Sequence, residues 1–392
     1  MIRCGALFFS QDREKAEGAA KAAKRMTAAG TELKVREGSE AGLSEGGWIV
    51  SLDYGGTVLP VVHGWPGGEP GRGEFSMLTL TEGRLEASRD HCGTRPLYRG
   101  AHGRWVASDH RFLPEEPKSF VSRGAVLSVS TGGESNRRRA HRSFEGTFDD
   151  AVARLAFLIE DSVKARVAGK RRVAVAFSGG LDSSIVAHCA AAHCKVIACS
   201  VSAEGSVDSK VPRDTASTLG LEFAGMRVDD KRLKSEMRGI DLPFEPSPMD
   251  RSLWCIYSMT AKLAAESGAE FVMLGQLADE LFGGYAKYEA ALRRGGSVGA
   301  ESLMSEDVAQ CAVRGFVRDE AACRRWCEPR FPFAEREVAT FGEGLPVAFK
   351  IRDGVRKAVL REAALALGLP AEIARRPKKA AQYSSGVMKL LS

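Results

Sequence analysis

The run Arg172-Val-Ala-Val-Ala-Phe-Ser-Gly-Gly-Leu-Asp-Ser-Ser184 constrains the fold more than any other stretch of this chain. Val173 to Phe177 is β-branched and aromatic, long enough for one buried strand. Ser178-Gly179-Gly180 then turns the chain without side-chain bulk, so its amides can point at one place. Asp182, Ser183 and Ser184 supply capping side chains for a helix that runs apolar through Ala191. A strand, a glycine turn and a helix N-terminus gather bare amides and partial positive charge, an arrangement that holds phosphate. No Gly-Lys-Ser/Thr follows the turn, so the pattern is not a Walker A loop.

Downstream, strands and helices alternate. Val196 to Val201, Glu222 to Val228 and Phe271 to Gly275 read as strands. Phe148 to Ala168, Asp208 to Leu219 and Leu253 to Ser267 read as helices, and from Ala286 onward the chain is mainly helical. The expected fold class is α/β: a mostly parallel sheet covered by helices on both faces. In such a sheet, loops at the carboxyl ends of the strands converge on one crevice. The segment after Phe271, Gly275-Gln-Leu-Ala-Asp-Glu-Leu-Phe-Gly-Gly-Tyr285, is therefore expected to bring Asp279 toward Asp182. Two carboxylates there suit a magnesium ion that completes its shell with waters and phosphate oxygens.

The front of the chain has a different texture. Cys4 to Ser10 reads as a strand and Arg13 to Ala29 as an alanine-rich helix ended by Gly30. Short β-like runs then recur: Trp48 to Leu52, Val58 to Val62, Phe75 to Leu80, Leu85 to Ser88, Trp105 to Ser108 and Ala125 to Val129. Glycine-rich turns separate them, which predicts an antiparallel β domain. Thr131 to Gly146 is polar and aperiodic, so the expected division is a domain over 1–131, a linker over 132–147 and a second domain over 148–392.

Composition excludes several function classes. Of 392 residues, 44% are hydrophobic and 27% charged, as in an ordinary globular protein. The net charge of +6 suits an anionic small molecule but is too mild to argue for nucleic acid. The Arg137-Arg138-Arg139 cluster with Arg142 reads as a solvated linker. No apolar run approaches a membrane span, and the first residues lack a signal pattern, so a cytoplasmic protein is expected. Nine cysteines with no Cys-x-x-Cys spacing, among them Cys189, Cys194 and Cys255, read as small buried hydrophobes in a reducing compartment.

The glycine turn and the Gly275–Tyr285 segment together resemble the asparagine synthetase family, whose members carry Ser-Gly-Gly-Leu-Asp-Ser-Ser and a downstream Gly-Glu-Gly-Ala-Asp-Glu-Leu-Phe-Gly-Gly-Tyr-like motif. Glu328-Pro-Arg-Phe-Pro-Phe333 is similar to the family's Glu-Ala-Arg-Val-Pro-Phe. Lys350, Arg356-Lys-Ala-Val-Leu-Arg-Glu362 and Arg375-Arg-Pro-Lys-Lys379 follow in the family's order. The resemblance implies an ATP-pyrophosphatase (adenine nucleotide α-hydrolase-like) sheet and a ligase using ATP and magnesium. A carboxylate is adenylated with release of pyrophosphate, and an amine then displaces AMP. Aspartate with ammonia is the default pair. Alternatives are another carboxylate and amine, as in β-lactam-forming and peptide-cyclising relatives, or a tRNA-modifying ATP pyrophosphatase. By the same resemblance, Phe177, Val201, Leu274 and Gly275 hold the adenosine part. Ser178, Gly179, Gly180, Asp182, Ser183 and Ser184 hold the pyrophosphate. Asp182 and Asp279 hold magnesium, and Lys357 stabilises charge as the acyl-adenylate forms.

Two departures matter. Gln276 stands where the family has a glutamate assigned to the amine step, and glutamine cannot act as a general base. Either another group such as Glu280 takes the proton, or the nucleophile differs from ammonia, or turnover is weakened. Residues 84–113 resemble the Arg-Asp-x-x-Gly-x-Lys-Pro-Leu-Tyr and Phe-Ala-Ser-Glu segments of the family's glutaminase domain, and Cys4-Gly5 echoes its N-terminal Cys-Gly. Here, however, Ile2 and Arg3 precede Cys4, and the Arg-Gly-Pro-Asp and Asn-Gly-Glu motifs have no match. The expectation is a shortened, inactive Ntn-hydrolase-like (glutaminase-like) β domain in which Cys4 is a strand cysteine and not a nucleophile. The amine then comes free, from the substrate, or from a separate glutaminase or amine-donor partner. A homodimer is compatible with this reading, and no membrane or nucleic-acid partner is expected.

Overall fold

A computed structural model describes residues 4–10, 14, 17, 32–37, 48–53, 61–65, 67, 72–81, 84–100, 105–110, 118–129, 132–136, 143–206, 210–377 and 386–388. The chain divides into two compact units, Met1–Arg139 and Ala140–Ser392. Most of the helix expected over Arg13 to Ala29 falls outside the described residues.

The first unit carries one eleven-stranded sheet. Its strands are β1 (Cys4–Ser10), β2 (Glu32–Glu37), β3 (Trp48–Asp53), β4 (Val61–Trp65), β5 (Glu74–Thr81), β6 (Arg84–Arg89), β7 (Tyr98–Gly100), β8 (Trp105–Ala107), β9 (Lys118–Phe120), β10 (Ala125–Ser128) and β11 (Glu134–Asn136). The order is β11-β10-β6-β5-β4-β1-β8-β7-β9, with β3 bonded to β1 and β2. All pairs are antiparallel except β1 with β4. Alternation builds the core, as period two requires. In β6, Leu85, Ala87 and Arg89 point inward, and the two apolar residues join Phe9, Leu78, Val106 and Leu127. Each such large side chain contributes about 1.5–3 kcal/mol by leaving water. Because β11 pairs with β10, residues 134–136 belong to the sheet, and the expected 132–147 linker is correspondingly shorter.

The second unit is built on a five-stranded parallel sheet. Its strands are β12 (Arg172–Ala176), β13 (Lys195–Ala203), β14 (Glu222–Val228), β15 (Val272–Met273) and β16 (Pro329–Arg330), in the order β14-β13-β12-β15-β16. Helices connect them: α1 (Phe148–Val167) before β12, α2 (Leu181–Ala191), α3 (Val211–Thr218), α4 (Asp230–Met237), α5 (Pro248–Glu266), α6 (Ala278–Phe282), α7 (Ala286–Gln310) and α8 (Phe316–Cys323). After β16 come α9 (Arg336–Gly344), α10 (Val347–Lys350), a short hairpin of β17 (Ile351–Arg352) and β18 (Val355–Arg356), α11 (Ala358–Ala366) and α12 (Ala371–Ala374).

This strand order fixes where a ligand can sit. From β12 the chain adds β13 and β14 outward on one side. It then returns to place β15 and β16 on the other. Right-handed crossovers put α2 and α3 on one face and α5 on the other. The direction reverses between β12 and β15, and a crevice opens there at the carboxyl ends. The α5 helix starts five residues before the expected Leu253 because Ser247 and Asp250 form a capping box around Pro248. Helix α3 is described from Val211, and its expected start at Asp208 lies outside the described residues.

Candidate active site

The turn that leaves β12 is folded by its own side chains. Gly179 adopts φ +69°, and a Cβ there would meet the Val211 carbonyl oxygen at 3.0 Å and Pro212 Cα at 3.1 Å. Both backbone angle and space therefore demand glycine. Gly180, not a polar side chain, is the N-cap of α2, and it receives no side-chain cap bond. Asp182, Ser183 and Ser184 consequently lie inside the first turn, correcting the expectation that they cap it. Ser183 Oγ lies 3.2 Å from Ser178 Oγ and donates to the Gly180 carbonyl, while the Gly180 amide donates to Ser178 Oγ.

Freed from capping, Asp182 meets Lys357, which is 175 residues distant. Lys357 Nζ lies 2.6 and 2.7 Å from the two Asp182 oxygens and 2.6 Å from Asp279 Oδ1. Burial works against the ammonium, but the two carboxylates outweigh it and hold its pKa above the ordinary lysine value. Lys357 sits at φ +59° ahead of α11, and Leu277, ahead of α6, at φ +78°. Left-handed backbone at two non-glycine residues is local strain held by the surrounding fold. The close approach also needs Gly284, where a Cβ would fall 1.8 Å from Asp279 Oδ1 and 2.5 Å from Lys357 Cε. A Cβ on Gly275 would press on Asp182 Cβ at 2.9 Å.

These groups line a cavity of about 770 Å³. Of the residues expected in the site, Phe177, Ser178, Gly179, Gly180, Asp182, Ser183, Val201, Gly275, Gln276, Asp279, Glu280 and Lys357 all face it. Leu274 and Ser184 do not; both are fully buried behind it. Leu274 instead donates its amide to Arg330 and so ties β15 to β16. Cys4 begins β1 in the other unit, and its side chain is outside the described residues.

Near Gln276 the cavity wall is weakly acidic and uncharged in turn. Glu280 is buried and accepts a 2.7 Å hydrogen bond from Tyr285. Burial, and then the Asp279 charge, raise the Glu280 pKa. Gln276 Nε2 points to Cys311 Sγ at 3.9 Å, at the start of a π-helical turn over Cys311–Gly315. Such turns are frequent at functional sites. Burial and then Glu280 push the Cys311 thiol pKa well up, which favours the neutral thiol. Further along, Arg314 and Arg318 both bind Asp250, whose pKa is lowered to about 2 because these guanidinium bonds, with those from Ser247, outweigh burial. Cys311 and Arg314 carry no motif that marks them, whereas Tyr285, Arg361 and Arg376 fall inside the stretches that resemble the family, without a role implied by that resemblance.

For a divalent cation the structure provides two carboxylates bracketing one point and, among the described residues, no group of three or more acidic, histidine or cysteine side chains placed to hold a metal ion. An all-oxygen pair of this kind fits magnesium when phosphate oxygens complete the shell. The ammonium of Lys357 now stands between the pair.

Comparison with known proteins agrees with this architecture. The asparagine synthase family model matches residues 154–326 and 304–390. The chain belongs to the asparagine synthase family. A Methanocaldococcus jannaschii protein carrying the name of a glutamine-hydrolysing asparagine synthetase is 29% identical over 284 residues, 63% of this chain and 52% of that one. Asparagine synthetase B of Escherichia coli is 27% identical over 350 residues, 80% and 60% of the two chains. Carboxyethyl-arginine beta-lactam-synthase of Streptomyces clavuligerus is 26% identical over 360 residues, 80% and 65%. The chain thus spans between about half and two thirds of the length of these relatives. No helix among the described residues is long and apolar enough to cross a membrane.

Proposed function

We propose that this chain is an ATP-dependent amide ligase. One observation carries the reading: a lysine ammonium bound to two carboxylates beside a glycine turn, at the switch point of a parallel sheet. The β12 and β15 ends hold the adenosine part, and the Ser178–Ser184 segment holds the β and γ phosphates. Asp182 and Asp279 hold magnesium, which supplies neutralisation of phosphate charge. Lys357 turns from the carboxylates toward the α phosphate and the attacked carboxylate, placing a cation where negative charge grows. Glu280 accepts the proton from the incoming amine in place of Gln276, with Tyr285 holding it in position. Aspartate and ammonia, giving asparagine, are the first pair to test.

The experiment is pyrophosphate release with a panel of carboxylic acids, with and without ammonia. Aspartate-dependent release that yields asparagine supports the reading; release with some other acid moves the substrate and keeps the chemistry. ATP that is never cut at the α phosphate under any acid sinks it. A second reading, a different carboxylate and amine, is favoured by Gln276 at the amine-step position and by the similarity to the Streptomyces β-lactam synthase.

A further inference from the structure

Six cations line the cavity: Lys287, Arg314, Arg318, Lys357, Arg361 and Arg376. Four of them face a carboxylate. Lys357 meets Asp182 and Asp279, Arg314 and Arg318 meet Asp250, and Lys287 meets Asp307. Arg361 and Arg376 are held differently. Arg361 donates Nε to the Arg356 carbonyl at 3.0 Å and Nη1 to the carbonyls of Ala374 at 2.6 Å and Arg376 at 3.0 Å. Arg376 donates Nη1 to the Gly179 carbonyl and to Thr215 Oγ1, both at 2.7 Å. Every bond that fixes them goes to a neutral acceptor, and no described carboxylate forms an ion pair with either.

The result is two half-buried guanidinium groups joined through the Arg376 carbonyl, with surplus positive charge at the glycine turn. Burial, and then Arg356, pull the Arg361 pKa down, while Asp182 pulls it up. Each fork retains donors: Nη2 of Arg361, and Nε and Nη2 of Arg376. The Gly179 carbonyl that Arg376 holds lies directly before Gly180, the N-cap of α2. Two half-buried guanidinium groups next to a helix N-terminus favour an anion, and forked donors match phosphate oxygens in pairs.

We infer that Arg361 and Arg376 are pyrophosphate-binding residues that clamp the β and γ phosphates at the Ser178–Gly180 turn. This rests on the ATP reading above. When the carboxylate oxygen bonds to the α phosphorus, the bond from that phosphorus to the bridging oxygen breaks and its electron pair leaves with pyrophosphate. The two guanidinium groups receive that charge. Arg376 also positions the turn itself, because the same side chain holds Gly179 and Thr215 together.

The test uses the full chain and inorganic pyrophosphate with magnesium as the probe, measured by calorimetry, with AMP as the control. In R361Q and R376Q the pyrophosphate Kd is expected to rise by about tenfold or more while AMP affinity stays unchanged. R361K and R376K, which keep charge but lose the fork, are expected to fall between. Should a glutamine variant fail to fold, its lysine partner decides. Pyrophosphate affinity unchanged in the folded variants, with AMP still bound, overturns the clamp and leaves the nucleotide site standing. A wild-type chain that binds neither AMP, ATP nor pyrophosphate overturns the nucleotide reading and the clamp with it.

Discussion

Each unit buries a cluster of charge, and the two clusters are wired in opposite ways. In the first unit, Asp90 accepts from the amides of Phe75, Cys92 and Thr94 and from Thr94 Oγ1. Its neighbour Arg89 donates to the carbonyls of Gly93, Arg95 and Val121. Nearly every partner is backbone, and most lie within a few residues. That cluster closes a turn. In the second unit, Asp182, Asp279 and Lys357 arrive from three separate segments, bond one another by side chain alone, and face a cavity. Burial of charge does not distinguish the two. What distinguishes them is whether the partners are fixed amides or side chains able to turn toward a ligand.

The contrast breaks most sharply at Lys357. Lys357→Met removes the cation that bonds both Asp182 and Asp279 and is expected to lower pyrophosphate formation by about 10³-fold. Asp182→Asn should abolish it. Because Asp182 and Asp279 keep partial contact with water, neither variant is expected to unfold the chain. Turnover within severalfold of wild type in Lys357→Met, measured by pyrophosphate release, would make this cluster as structural as the one at Asp90.

Gly284→Ala tests the same cluster without touching a charge. The added methyl lands on the Asp279 carboxylate and the Lys357 stem, so one of them must move. A displacement of about 1 Å in such a site costs on the order of 10²-fold in rate. An alanine variant with full activity would mean that the observed three-way contact is not the reacting arrangement.

How much of this was legible in the sequence follows from the same distinction. Strand β14 ends where its apolar pattern ends, and the Ser178-Gly179-Gly180 turn is dictated by residues adjacent to it. Asp279 was placed near Asp182 because parallel-sheet topology predicts it. The partnership of Lys357 with both carboxylates needed the fold, since nothing in residues 356–362 states which acids lie across from them. Asp182 was read as a cap because aspartate at a helix start is usually one; a glycine N-cap and a distant lysine won instead. Arg361 and Arg376 lie in stretches that resemble the family, but what they bond is hidden for a related reason. All but one of their partners, the Thr215 hydroxyl, are carbonyl groups, which every residue possesses.

Gln276 offers a finer probe. Glu280 must be ionised to accept a proton, and its pKa is raised from the ordinary 4.5 by burial and by Asp279. Amide formation is therefore expected to climb with pH through this raised value, with an acid limb above the usual glutamate range. Gln276→Glu adds another carboxylate in the same cavity and moves that limb further up. In Glu280→Gln the limb disappears. The lost negative charge also removes a penalty on folding that grows as pH rises from the ordinary glutamate value through the raised pKa, so this variant should gain relative stability above that raised pKa. An acid limb unmoved by either substitution, in initial rates at saturating ATP, assigns the proton acceptor elsewhere.

The smallest expected change in turnover comes from the other cluster. Asp90→Ala strands three amides and a hydroxyl inside a buried turn, and each orphaned donor costs about 1–3 kcal/mol. The loss falls on the first unit and should appear as an earlier unfolding transition. Pyrophosphate release per folded molecule, assayed well below that transition, is expected to match wild type. The sheet of the second unit, its glycine turn and all three charged residues are intact in this variant. A fall in turnover at temperatures where the first unit is still folded would show that the Arg89–Asp90 turn does more than close a corner, and the division between fixed and mobile charge would no longer separate structure from chemistry in this chain.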